Sequence, residues 1–87
     1  MSLMFARSKA GHDKDRVYLV LEEKGEQLLL TDGKIRSLQH PKIKNRKHVQ
    51  IIKNVPGEIL ELCYQKEALW DEGIKRAIKL YQQEERR

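Results

Sequence analysis

Apolar residues fall in short runs over the first half of the chain and at helical spacing over the last third. Residues 17–21 (Val-Tyr-Leu-Val-Leu) form an unbroken apolar run of β-branched and aromatic character, which predicts a strand covered on both faces. Residues 4–8 predict a shorter strand before it, closed by the turn-rich Ala10-Gly11-His12-Asp13. Residues 22–26 are too polar to bury and contain Gly25, so they read as a hairpin loop leading into a third strand at 27–31. Asp32-Gly33 is a strong hairpin signal, because a tight reversal needs positive φ at its central residues. It predicts a return strand at 34–38. Residues 40–47 read as a polar loop holding Pro41, and 48–52 alternate well enough for a fifth strand. Short strands separated by tight turns predict a small barrel, which also removes exposed sheet edges.

From Pro56 the period changes. Ile59, Leu62 and Cys63 stand at i, i+3, i+4, and Ile74, Ala77, Ile78 and Tyr81 at i, i+3, i+4, i+7. Asp71 is a fair N-cap for the second stretch, with Glu72 in its first turn near the positive end of the helix dipole. Two amphipathic helices, or one broken near Gly73, are predicted to fold back on the barrel. The fold class expected is mainly β with a C-terminal α segment. Its parts are a barrel at residues 4–55 and a helical extension at 56–87. Met1-Ser2-Leu3 ahead of Met4 reads as vector-derived and is set aside.

Eighty-seven residues fit one domain that buries roughly 60–65% of its unfolded surface. So thin a core hardly accommodates a deep substrate cleft, and the expectation is a binding protein, not an enzyme. No apolar run approaches the roughly 18 residues that would span a bilayer, and one cysteine, Cys63, excludes an internal disulfide. A cytoplasmic protein without a membrane partner is expected. Net charge is +5, and its placement says more than its total. Residues 1–55 hold 12 of the 18 Lys/Arg and 6 of the 13 Asp/Glu, whereas residues 56–87 are close to neutral. The positive charge belongs to the strand-rich part, which points to a polyanionic partner; simple solubility is the alternative.

Residues 34–48 concentrate that charge. Lys34, Arg36, Lys42, Lys44, Arg46 and Lys47 lie there with His40 and His48, and no acidic residue intervenes. Six like charges in one hairpin and its loop repel unless something anionic neutralises them. Phosphates do so with release of condensed counterions. A second candidate is the stretch 7–16, where Arg7, Lys9, Lys14 and Arg16 flank Gly11, with Asp13 and Asp15 placed to cap or pair locally. Lys75, Arg76 and Lys79 read as a solvated helix face balanced by Glu72 and Glu84.

Residues 4–20, a short strand, a glycine-bearing loop and an apolar strand, resemble the KOW motif. Together with 32–38 and 40–48 they resemble bacterial KOW-domain RNA-binding proteins. These are similar in turn to archaeal and eukaryotic large-subunit ribosomal proteins of the fourteen-e, six-e and twenty-seven-e group. The resemblance covers about residues 4–53 and implies an SH3-like barrel that binds RNA, ribosomal RNA above all, in or beside the large ribosomal subunit. It carries the loop glycine onto Gly11 and the basic positions onto Arg7, Lys9, Lys34, Arg36, Lys42, Lys44, Lys47 and His48. Where many KOW motifs have a second glycine, this chain has Asp15.

Other chemistries find little support. His12, His40 and His48 are dispersed, and Cys63 lies on an apolar helical face, without paired metal-ligand spacing. No glycine-rich phosphate loop or nucleophile elbow is present. No metal, cofactor or small-molecule substrate is expected. Phe5, Tyr18, Trp70 and Tyr81 occupy predicted core positions. Recognition of structured RNA through its backbone and shape is therefore favoured over base stacking. The alternative is a protein-interaction module of the transcription or translation machinery, of the NusG type, presenting Leu69, Trp70 or Tyr81 to a partner.

Overall fold

The computed structural model describes residues 3–86, so positions 1 and 2 of the expected vector-derived segment lie outside the described residues. Strands β1 (Phe5–Ser8), β2 (Val17–Lys24), β3 (Gln27–Thr31), β4 (Lys42–Asn45) and β5 (Val49–Ile52) form one antiparallel sheet. Their order is β4-β3-β2-β1-β5. Helix α1 (Gly57–Glu61), a hairpin of β6 (Tyr64–Gln65) and β7 (Ala68–Leu69), and helix α2 (Asp71–Glu85) follow. The chain is thus mainly β with a C-terminal helical segment. Among the described residues no ladder joins the end strands β4 and β5. A 3-10 turn over Arg46–His48 carries the chain from one to the other.

The apolar run of β2 is buried on both faces, as its composition predicts. Val17 and Leu19 join Phe5, Ile59, Cys63, Ile74, Ala77 and Ile78 in a cluster under the helices. Tyr18 and Val20 point the other way, into a cluster with Ala6, Leu28, Leu30 and Val49. Strands β1, β2, β3 and β5 all contribute to this second cluster, on the sheet face opposite the helices. The helices complete the first cluster, so the C-terminal segment shares its core with the sheet. Tyr81 of α2 sets its ring edge-on to Phe5, with centroids 5.6 Å apart, a preferred aromatic geometry.

Four expectations are corrected. β2 runs on to Lys24 through a register shift between Val20 and Glu22, so the polar residues 22–24 form an exposed hairpin arm. The loop is reduced to Gly25 and Glu26. Polar residues tolerate strand geometry where one face meets water.

Residues 34–38 are not a strand, and β4 lies at Lys42–Asn45, inside the predicted loop. Gly33 does take positive φ (+73°), but the loop it opens closes on itself. The Asp32 carboxylate accepts from the backbone N–H groups of Lys34 and Arg36, both at 2.9 Å, and Asp32 N–H donates to the Arg36 carbonyl at 3.0 Å. This side-chain capture competes with a strand ladder for the same groups. The loop then docks on α2. Leu38 N–H donates to Asp71 Oδ1 at 2.7 Å, and a Cβ at Gly33 would stand 2.2 Å from the Asp71 carbonyl oxygen.

Asp71 is therefore spent on that contact and is not the N-cap. Trp70 holds the cap position, and its side chain makes no capping hydrogen bond. Its indole lies across Gly73 and donates to the Leu62 carbonyl at 3.3 Å. Cys63 is buried in the turn after α1 rather than on a helical face. The β6–β7 reversal places Lys66 and Glu67 at φ of 52° and 66°, the pattern of a type I′ turn without its usual Asn or Gly.

Candidate nucleic-acid interface

Asp13 organises the β1–β2 loop. It is 7% exposed, yet four groups reach its carboxylate. Tyr18 Oη donates at 2.7 Å and Ser8 Oγ lies at 2.9 Å. Lys44 Nζ approaches to 2.6 Å and Lys42 Nζ to 3.0 Å. Burial opposes ionisation of Asp13, but hydrogen bonds from Lys44, Tyr18, Lys42 and Ser8 together outweigh it and hold the carboxyl well below the usual range. Burial, and then the neighbouring Asp13 charge, push the Tyr18 phenol up. Lys44 Nζ also donates to Ser8 Oγ and the Ala10 carbonyl, both at 2.7 Å, which uses all three of its protons. The edge strand β4 is thereby tied to the loop between β1 and β2.

The rest of the loop follows from that anchor. Lys14 N–H donates to the Gly11 carbonyl and Asp15 N–H to the Ser8 carbonyl. Gly11 takes φ of +90° and Asp15 φ of +73°. Asp15 thus adopts the left-handed conformation that favours glycine. Asp15→Gly is expected to raise Tm by a few degrees, since left-handed backbone costs an L residue about 1 kcal/mol. A fall in Tm on thermal denaturation would mean that the Asp15 side chain itself holds the turn.

The basic residues named from sequence divide into two sets. Lys42 and Lys44 are paired with Asp13, and Arg46 with Glu23 at 2.6 Å. Arg7, on β1, is paired with Glu85 at the end of α2. Within stretch 34–48, Lys42, Lys44 and Arg46 are thus neutralised by carboxylates of the same chain. The acids come from other segments, so the stretch is acid-free in sequence and partly neutralised in space.

Lys9, Lys14, Arg16, Lys34, Arg36 and Lys47 are exposed and, among the described residues, form no ion pair. Lys9 N–H donates to the His48 carbonyl at 2.8 Å, which joins the glycine-bearing loop to the 3-10 turn. Lys9, Gly11, Lys14, Lys47 and His48 thus belong to one end of the sheet, while Arg16, Lys34 and Arg36 belong to the strands and loop beside α2.

Aromatic placement agrees with the core expectation for Phe5 and Tyr18, both buried. Leu69, Trp70 and Tyr81 are half-buried, Leu69 and Tyr81 against the helix-side core. The large apolar residues left most exposed are Ile35 (65%) and Ile43 (62%). Among the described residues no three His, Cys, Asp or Glu side chains gather as metal ligands, and burial pushes the Cys63 thiol up to about 11. No helix among them is long and apolar enough to cross a membrane.

Sequence reasoning missed Asp13 as an anchor. Its signal was available in principle as an acid in the loop between two apolar strands, but its lysine partners lie about 30 residues away. Comparison with protein-family models and with curated proteins finds no match for this chain.

Proposed function

We propose that this protein binds structured RNA through backbone phosphates, using the loop end of its sheet, and that ribosomal RNA of the large subunit is the partner class. The observation that carries the reading is the division of its cations. Buried or half-buried lysines are consumed by Asp13 in holding β4 to the β1–β2 loop, whereas Lys9, Lys14 and Lys47 stand exposed and unpaired around Gly11 and His48. Because the loop is braced, its backbone has little freedom left to lose when the exposed ammonium groups meet phosphates. Few exposed rings accompany them, which favours backbone and shape recognition over stacking. The sheet order β4-β3-β2-β1-β5, in which the last strand lies beside the first, supports reading the fold as an SH3-like barrel of the KOW type.

The test compares exposed with paired cations. Lys9→Glu/Lys47→Glu is expected to weaken binding to a structured ribosomal RNA fragment by on the order of 10- to 60-fold at 0.1 M salt, from the counterion released at each contact. Tm should change little. Arg46→Gln, which removes a cation already paired with Glu23, should weaken it far less. Equal losses from the two variants would sink the reading.

A second reading, a protein-docking module, is favoured by one observation: Ile35 and Ile43 are largely exposed. It requires partners that stay bound after nuclease treatment.

A further inference from the structure

A wide groove of about 730 Å³ runs between α2 and the start of β2, with the Asp32–Gly33 loop at one side. Five cations line it: Arg16 from β2's entry, Lys34 from the loop, and Lys75, Arg76 and Lys79 from α2. Its acids are Asp32 and Glu72, and both are already engaged. Asp32 is turned into its own loop by the N–H groups of Lys34 and Arg36. Glu72 is held by Lys75 at 3.0 Å and Arg76 at 3.8 Å. Among the described residues Arg16, Lys34 and Lys79 have no acidic partner, so the groove keeps a surplus of three positive charges.

Its walls are fixed with respect to each other. Gly33 packs backbone to backbone against Asp71 and Lys75, and Leu38 N–H is held by Asp71 Oδ1. The apolar part of the lining comes from Val17 and Ile78, both buried, and no aromatic ring takes part. A rigid cationic trough without stacking surfaces suits a phosphodiester chain and offers nothing to a base.

We infer that this groove is a second phosphate-binding track, in which Arg16, Lys34 and Lys79 hold the backbone of the same RNA that the loop end engages. The inference rests on the RNA-binding reading and extends it to a face of α2 that its sequence marks as merely solvated. Arg16 links the two regions, because it closes the β1–β2 loop through its carbonyl, which accepts from Ser8 N–H at 2.9 Å.

The test uses the full chain, ¹⁵N-labelled, titrated with a ribosomal RNA hairpin, together with the variant Lys34→Glu/Lys79→Glu. Both positions are exposed, and the dispersion of the variant's amide spectrum reports whether it is folded. The expected result is movement of the Lys34, Lys75 and Lys79 amides along with those of Lys9 and Lys47. The variant should bind on the order of tenfold or more weakly at 0.1 M salt, with a log–log salt slope shallower by about 1.4 to 1.8. If the loop amides move while the groove amides stay still and the variant binds like the parent, the groove inference is overturned and RNA binding at the loop stands. If no amide moves at 50 mM salt, both fall.

Discussion

Replacing Asp13 with asparagine is expected to destabilise the protein by about 3–5 kcal/mol, the usual effect of removing one partner from a buried ion pair. The substitution nearly preserves shape, so the loss reports charge. It would leave the Lys44 ammonium, whose side chain is only 11% exposed, beside a neutral amide, and would remove the partner of Lys42 as well. Domains of this kind have total stabilities of about 5–15 kcal/mol, so the variant should be marginally folded at room temperature, as urea denaturation would show. Adding Lys44→Met should restore part of the loss, because an apolar replacement of a buried pair is often neutral. A loss below about 1 kcal/mol would mean that Asp13 does not anchor the sheet edge.

The same carboxylate sets an acid limit. Its folded-state pKa lies below the ordinary value of about 3.9. The stabilisation is therefore fully present above the unfolded-state value and is lost as pH falls through it towards the folded-state one. Parent stability should decline below about pH 5, and that of Asp13→Asn should decline less steeply.

Gly73→Ala is the second large effect, and its sign is the informative part. In an exposed helix interior this change stabilises by about 1 kcal/mol. Here a Cβ would stand 2.0 Å from the Leu62 carbonyl oxygen and 2.1 Å from Trp70 Nε1. Either the indole leaves its hydrogen bond with Leu62 or α2 moves away from the turn after α1. Overpacking of this kind costs about 1–3 kcal/mol, occasionally more, so a net loss of about 2 kcal/mol is expected from denaturation curves. Trp70 is the chain's one tryptophan, and its emission should shift to the red as the ring becomes more exposed. A stabilised variant with unchanged emission would contradict this packing.

What could be read from the sequence depended on whether the information was local. Val17 to Leu21 announced a doubly covered strand, and Ile74, Ala77, Ile78 and Tyr81 announced the buried face of α2, because each pattern is set by neighbours a few residues apart. The return strand after Asp32-Gly33 was misplaced because Asp32 captures the amides of Lys34 and Arg36, and Gly33 is needed for its approach to Asp71. The same dipeptide that signals a hairpin serves a docking loop here. The β6–β7 turn was invisible because Lys66 and Glu67 take positive φ without the residues that advertise it.

The candidate site was legible by residue type and illegible by state. Twelve positions could be named from charge, glycine and motif, but whether a lysine is spent or available depends on contacts such as Lys44 with Asp13 across 31 residues. Arg7 shows the same limit most sharply, since its partner Glu85 is 78 residues away. Tertiary structure decides which cations build the fold and which face solvent.

The most direct measurement is the salt dependence of binding to a structured ribosomal RNA fragment between 50 and 200 mM monovalent salt. If the six exposed cations of residues 7–48 that form no ion pair among the described residues, Lys9, Lys14, Arg16, Lys34, Arg36 and Lys47, each meet a phosphate, log K should fall with log salt at a slope of about −4 to −5. Absence of binding at 50 mM salt, or a slope near zero, would contradict the account.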